Sequence, residues 1–170
     1  MDSDWRLIHR IRCGNESAIE SFVRKFYPSV LKYCRFRVYE QAEDLAQETF
    51  VKFFKSVTSY KHKGKLQNYL YVIAGNLCRD YWREQNRILR TESNEEIQIG
   101  IEDDKEQLVI KDAVNRLPKE FNEVIYLHFF LDMSLQEIAD VEGIKISLVK
   151  YRLRRGKEML RKSLCEETGL

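Results

Sequence analysis

The sequence has little that interrupts a helix and nothing that spells out a catalytic centre. Two prolines and seven glycines in 170 residues point to long, uninterrupted helices. The four cysteines, Cys13, Cys34, Cys78 and Cys165, lie far apart. No Cys-x-x-Cys or paired Cys/His spacing joins them, so neither a zinc site nor a disulfide framework is indicated. His9, His62 and His128 are equally scattered. There is no glycine-rich phosphate loop, no His-Glu-x-x-His and no nucleophile elbow. The expectation is therefore a protein that is not an enzyme, with no catalytic residue, no metal and no cofactor. No apolar run approaches the ~20 residues needed to span a bilayer. The first stretch, MDSDWRLIHRIR, is acidic at its start and lacks the apolar centre of a signal peptide. A cytoplasmic protein with no direct membrane insertion is expected.

What the chain does have is charge, sorted by sign. Twenty-nine basic and 27 acidic residues leave a formal net charge of only +2, which hides the segregation that matters to a polyanionic partner. The strongest basic stretch lies in Ser134–Lys162. Ser134 with Glu137 forms the sequence pattern of a capping box. Leu135, Ile138 and Ala139 give a short helix one apolar stripe. Gly143 can adopt the positive φ of a sharp stop. A second helix then places Val149, Leu153, Gly156 and Leu160 on one face. Helix, tight glycine turn, helix is the geometry of a helix-turn-helix. The second helix carries Lys150, Arg152, Arg154, Arg155, Lys157, Arg161 and Lys162 against a single acid, Glu158. Such a surface suits duplex phosphates. Lys150, Tyr151, Arg154 and Arg155 lie opposite the apolar stripe, where arginine and lysine can reach guanine edges in a major groove. Small Ala139 and Gly156 allow close approach of backbones.

Taken in order, the pattern predicts a short helix over Asp4–Cys13, capped by Ser3 and stopped at Gly14-Asn15. A broad apolar helix follows over Glu16–Val38, with Pro28 inside it expected to kink or break it. Gln41–Val57 is the cleanest amphipathic helix. Its polar face shows Glu43, Asp44, Gln47 and Glu48. Acids in a first turn complement the helix dipole; the alternative is a docking face for a basic partner. Thr58–Leu66 reads as a loop, with Tyr60 and His62 alternating with Lys61, Lys63 and Lys65. Rings interleaved with bases suit unstacked nucleotides. The helix over Gln67–Arg90 buries Leu70, Ile73, Ala74 and Leu77 and carries Tyr69, Tyr71, Tyr81 and Trp82 with Arg79, Arg83, Arg87 and Arg90. Core packing is expected to take most of those rings. Thr91–Asp104 holds six acids and no base and reads as a linker. Lys105–Arg116 is helical again. Pro118 opens a helix over Lys119–Leu131, in which His128 is structural.

The order of these parts resembles the extracytoplasmic-function (ECF) sigma factors, group 4 of the sigma-70 family of bacterial RNA polymerase sigma factors. AEDLAQETFVKFF at Ala42–Phe54 resembles the family's core-polymerase-binding segment. LQNYLYVIAGNLCRDYWR at Leu66–Arg83 resembles the segment that opens and reads the −10 element. Leu117–Leu160 resembles the domain that reads the −35 element. The resemblance implies an all-α chain of two small helical domains joined by an acidic linker, the second a helix-turn-helix domain. It divides the chain into a region 2 domain at 1–90, a linker at 91–106 and a region 4 domain at 107–170. It implies a transcription initiation factor with core RNA polymerase and promoter DNA as partners, commonly held by an anti-sigma factor. By position, Asp44, Gln47 and Glu48 would meet the polymerase. Tyr60, His62, Lys63, Lys65, Asn76, Arg79 and Arg83 would meet the −10 DNA. Lys150, Tyr151, Arg152, Arg154 and Arg155 would meet the −35 duplex.

The chain departs from the family pattern in places. Tyr69 stands where the family usually has Trp, and Gly75 where it usually has Arg. Lys145 replaces the usual Ser/Thr cap of the recognition helix, so Ser147 is expected to cap it one turn late. Gly156 replaces the usual Ala, at an expected cost of ~1 kcal/mol to that helix. Two other readings stay open. A stand-alone helix-turn-helix regulator would bind duplex DNA without polymerase. A helical protein–protein adaptor would show no dependence on DNA sequence.

Overall fold

The computed structural model describes residues 3–61, 65–89, 110 and 112–168. Among the described residues all regular structure is helical, and no helix is long and apolar enough to cross a membrane. The chain divides into two compact units, Met1–Gly100 and Ile101–Leu170. The acidic stretch 91–106, and half of the helix expected over 105–116, lie outside the described residues.

The first unit contains α1 (Ser3–Arg12), α2 (Glu16–Arg37), α3 (Ala42–Ser56) and α4 (Leu66–Leu89). Gly14, at φ 76°, ends α1. Asn15 starts α2 by accepting the Ala18 N–H on its side-chain oxygen at 2.8 Å, which satisfies one of the donors a helix start leaves open. The apolar stripes of α2, α3 and α4 then meet one another, and α1 packs on α2 through Ile8 and Ile11. Phe22 of α2 is fully buried and stacks on Phe53 of α3, with ring centroids 4.7 Å apart and planes 10° apart. Leu70, Ala74 and Leu77 of α4 close this core. Thr49 is buried among these side chains, and its hydroxyl is satisfied by donating to the Leu45 carbonyl at 2.8 Å.

Pro28 does not break α2, contrary to the sequence expectation: the helix is continuous from Glu16 to Arg37. The reason lies in where the proline sits. Pro28 is exposed, so the Arg24 carbonyl that loses its helical donor faces the solvent side. Phe22, Phe26 and Val30 on the other side hold both halves against the same core. α4 begins one residue earlier than expected, with Leu66 fully buried.

The second unit includes helical residues at 112–115. It contains α5 (Lys119–Phe129), α6 (Leu135–Glu142) and α7 (Ile146–Thr168). Pro118 is the N-cap of α5, and its carbonyl accepts the N–H groups of Phe121 and Asn122. Buried Asn122 in turn donates to the Val114 carbonyl at 2.8 Å, tying the turn to α5. The core is mainly aliphatic, with Val124, Ile125, Leu127, Ile138, Val141 and Val149, and one buried ring, Tyr126. His128 bonds the Met133 carbonyl at 2.8 Å, a structural role. Gly156 makes the close approach expected of it. A Cβ built on it would lie 2.9 Å from Ile125 Cγ1 and 3.5 Å from Phe121 Cβ. The glycine lets α7 lie close on α5, so its low helix propensity is offset by packing.

Candidate nucleic-acid and polymerase interfaces

The helix-turn-helix is built by local chemistry that the structure resolves atom by atom. The Ser134 hydroxyl accepts the Glu137 N–H, and the Glu137 carboxylate accepts the Ser134 N–H at 2.7 Å. These reciprocal bonds fix where α6 starts. Gly143 closes it in the left-handed region at φ 66°, with its N–H donating to the Ala139 carbonyl. Lys145 follows, and its carbonyl accepts Leu148 N–H at 2.9 Å and Val149 N–H at 3.2 Å. α7 therefore starts at Ile146. Ser147 lies inside the first turn and not before it, which corrects the expectation of a late cap: the backbone at Lys145 already serves as the boundary.

With Val149, Leu153 and Gly156 buried, the rest of α7's facing is determined. Lys150, Tyr151, Arg154 and Arg155 are exposed together, and Arg152 is half-buried at the edge of the core. Tyr151 keeps 48% of its surface exposed, and the Arg154 guanidinium lies 6.0 Å from its ring centroid. Glu158 binds Arg155 at 2.8 Å and reaches Arg154 at 4.0 Å. Arg155 donates to the Glu158 carboxylate, and that hydrogen bond raises the pKa of its guanidinium. A DNA phosphate or base edge has to share or displace that carboxylate. Exposed Ile146 and Leu148 open the same helix. They were not singled out in the sequence, although apolar side chains in such a position suit thymine methyl groups.

The acidic face of α3 is equally open. Glu43, Asp44, Gln47 and Glu48 are all exposed, and Val51 continues the face with 48% of its surface in solvent. Arg35 approaches Glu43 at 3.5 Å and Lys52 approaches Glu48 at 3.7 Å. Both contacts are solvent-exposed and weak.

On α4, Asn76, Arg79 and Arg83 share one exposed face. Arg79 donates to the Asn76 side-chain oxygen, and Arg83 pairs with Asp80 at 3.3 Å. Of the four rings on this helix the core takes Tyr71 alone, and Tyr69, Tyr81 and Trp82 are half-buried. Tyr71 is buried and its hydroxyl accepts from Gln67 at 2.7 Å, while Trp82 donates to the Arg37 carbonyl at 3.0 Å.

Tyr60 departs from expectation. It was placed among residues meeting an unstacked base, yet only 8% of it is exposed. Its ring lies 4.6 Å from Tyr69 and 5.8 Å from Phe53. Burial of a ring releases more free energy than leaving it on a polar loop, so the core takes it and its face is closed to a base. Lys61 and Lys65 are exposed on either side; His62 and Lys63 lie outside the described residues. The chain from Tyr60 to Lys65 is thus a short span whose first end is buried.

Cys34 and Cys78 lie in the core where α2 meets α4. A hydrogen bond to Cys78, together with burial, pushes the Cys34 thiol well above the usual range. Among the described residues, no three His, Cys, Asp or Glu side chains gather as metal ligands.

Two helical units, one with an exposed acidic face on α3 and the other a helix-turn-helix with a basic outer face, define a two-unit helical protein of the helix-turn-helix class. The family description Sigma-70 region 2 matches residues 22–88, and Sigma-70, region 4, matches residues 107–160. Across 153 residues the chain is 28% identical to RNA polymerase sigma factor SigV of Bacillus subtilis, covering 89% of this chain and 91% of that protein. It is also 28% identical to the ECF RNA polymerase sigma factor SigW of the same organism, over 92% of this chain and 94% of that one. The fold matches the sigma factor RpoE, solved in complex with the anti-sigma factor NepR from Bartonella quintana. That match has a TM-score of 0.68 and 22% identity, and covers 85% of this chain and 95% of that one. The chain belongs to the sigma-70 family, in its ECF group. It is a transcription initiation factor, a non-enzymatic partner of RNA polymerase and promoter DNA.

Proposed function

We propose that residues 1–90 bind core polymerase and open and read the −10 element, that 91–106 connect, and that 107–170 read the −35 element. The observation that carries this reading is a pair of exposed faces of opposite sign on separate units: Asp44, Gln47 and Glu48 on α3, and Lys150, Tyr151, Arg154 and Arg155 on α7. The acidic face suits a basic surface on the polymerase and repels DNA. The basic face does the reverse. Asn76, Arg79 and Arg83 on α4, with His62, Lys63 and Lys65 of the loop, take the unpaired −10 strand. Tyr60 supports that loop from within. Arg152, at the edge of the core, makes a phosphate contact. A stand-alone regulator leaves the α3 face without a purpose, and an adaptor leaves the helix-turn-helix without one. The protein works in the cytoplasm, where polymerase is. It is held inactive by an anti-sigma factor, a reading supported by the likeness to a sigma factor solved with one.

A double dissociation tests the assignment. Asp44→Lys weakens affinity for core polymerase and leaves binding to −35 duplex unchanged. Arg154→Ala leaves core affinity unchanged and loses roughly 1–3 kcal/mol at one −35 base pair. Unchanged core affinity for Asp44→Lys sinks the assignment of the α3 face. Equal weakening by Arg154→Ala on every sequence reduces that residue to a phosphate contact.

A further inference from the structure

The first turn of α7 is not basic like the rest of its outer face. Between exposed Lys145 and exposed Lys150, the side chains of Ile146, Ser147 and Leu148 are exposed and carry no charge. Ile146 and Leu148 keep 37% and 38% of their surface in solvent. An apolar side chain left in water is unfavourable, and a phosphate offers it nothing. The backbone beneath it is well anchored, because the Lys145 carbonyl accepts the N–H groups of both Leu148 and Val149.

The two apolar residues face different ways. Side chains three, four and seven positions apart share a helix face. Ile146 shares its face with Val149 and Leu153, both buried, so its remaining surface lies at the edge of the core. Leu148 shares its face with Tyr151 and Arg155, both exposed. A helical side chain also leans toward the helix N-terminus. Leu148 therefore projects over the first turn, ahead of Tyr151, and the N-terminal residues of a recognition helix are those that reach base edges. Base edges in the major groove present hydrogen-bonding groups, and the apolar group that stands out among them is the C5-methyl of thymine. That methyl is the feature a leucine complements. Lysines on either side suit the phosphates flanking such a contact.

We propose that Leu148 is a specificity-determining residue for the −35 element: its side chain packs on the C5-methyl of one thymine, so that the protein prefers an A·T pair at that position. This rests on the reading of α7 as the −35-reading helix. The contact works separately from the cations. Lys150, Arg154 and Arg155 act on phosphates and on hydrogen-bonding edges, whereas Leu148 recognises an apolar group that hydrogen bonds do not distinguish.

The experiment uses the full chain with bacterial core polymerase. Promoter fragments with randomised −35 positions are selected by that holoenzyme. Each thymine of the selected −35 element, on either strand, is then replaced in turn by deoxyuridine, which lacks only the methyl group. One such replacement is expected to weaken binding by the parent about fourfold, the worth of one buried methyl group. Leu148→Ala is expected to bind thymine and deoxyuridine fragments alike at that position. Leu148→Gln, which keeps the side-chain length and the helix propensity, loses the preference as well, and Leu148→Met keeps most of it. Circular dichroism midpoints confirm that each variant is folded. If Leu148→Ala and Leu148→Gln weaken binding yet keep the fourfold preference, another side chain reads the methyl and the proposal is overturned. If Lys150→Ala and Arg154→Ala change −35 binding but no deoxyuridine replacement affects the parent, the leucine contact is wrong and the −35 reading stands. If selection returns no −35 preference and the Lys150 and Arg154 variants bind as the parent does, the −35 reading fails and the proposal goes with it.

Discussion

The two units solve different mechanical problems, and their cores differ accordingly. The first has to present a loop and two helix faces, and it is packed with large flat rings: Phe22, Phe26, Phe50, Phe53, Tyr60 and Tyr71 are all buried. The second has to hold one helix at one angle. Its core is built mainly of branched aliphatics, with a glycine where α7 approaches α5. Rings give large buried areas that tolerate an irregular outline, and so can anchor a loop residue such as Tyr60. Aliphatics around a glycine give close, regular helix packing that fixes direction. The contrast is that Tyr60 is held by side-chain mass, and α7 by backbone proximity.

The largest effect that breaks this contrast is expected at Phe22. Phe22→Ala removes the ring that stacks on Phe53 and touches Phe26 and Phe50, and should destabilise the first unit by about 3–5 kcal/mol. Both tryptophans, Trp5 and Trp82, lie in that unit, so fluorescence reports on it separately. The midpoint should fall steeply by fluorescence, while −35 duplex binding by the folded second unit persists. A loss of −35 binding in step with the fluorescence change would mean the units do not fold independently.

Gly156 gives a smaller and more diagnostic effect. On helix propensity alone, Gly156→Ala gains ~1 kcal/mol. Against that, the new methyl meets Ile125 Cγ1 at 2.9 Å, and overpacking costs about 1–3 kcal/mol. The expected net result is lower stability of the second unit by circular dichroism, with weakened −35 binding as α7 is displaced. A more stable variant with unchanged binding would show that backbone proximity does not hold the reading helix. The smallest effect belongs to the cap. Ser134→Ala should cost ~1 kcal/mol, seen as a lower circular dichroism midpoint with no change in fluorescence, and Ser134→Thr should retain most of it.

What was legible in the sequence was the chemistry between near neighbours. The Ser134–Glu137 capping box, the left-handed Gly143, the Gly14-Asn15 stop and the amphipathic face of α3 all involve residues within about a turn of each other. Their geometry follows from backbone periodicity. What sequence reading missed depends on burial or on distant parts of the chain. Pro28 leaves α2 whole because its missing donor falls on the exposed side. Tyr60 turns inward because Phe53 and Tyr69 are waiting for it. Arg12 gave no local signal of its bonds to the Val57 and Tyr60 carbonyls, which lie far along the chain. On α7 the shared exposure of Lys150, Tyr151, Arg154 and Arg155 was legible, because the buried Val149, Leu153 and Gly156 fix the opposite face.

The central claim is that the two units act together on promoter DNA through polymerase. The most direct measurement is permanganate mapping of unpaired thymines on genomic promoter fragments with the purified chain, with core polymerase, and with both. The account predicts a bubble only when both are present, confined to the −10 element and lost with Asp44→Lys at limiting core. Sequence-specific binding by the chain alone, with no bubble on any fragment and no affinity for core polymerase, would contradict it.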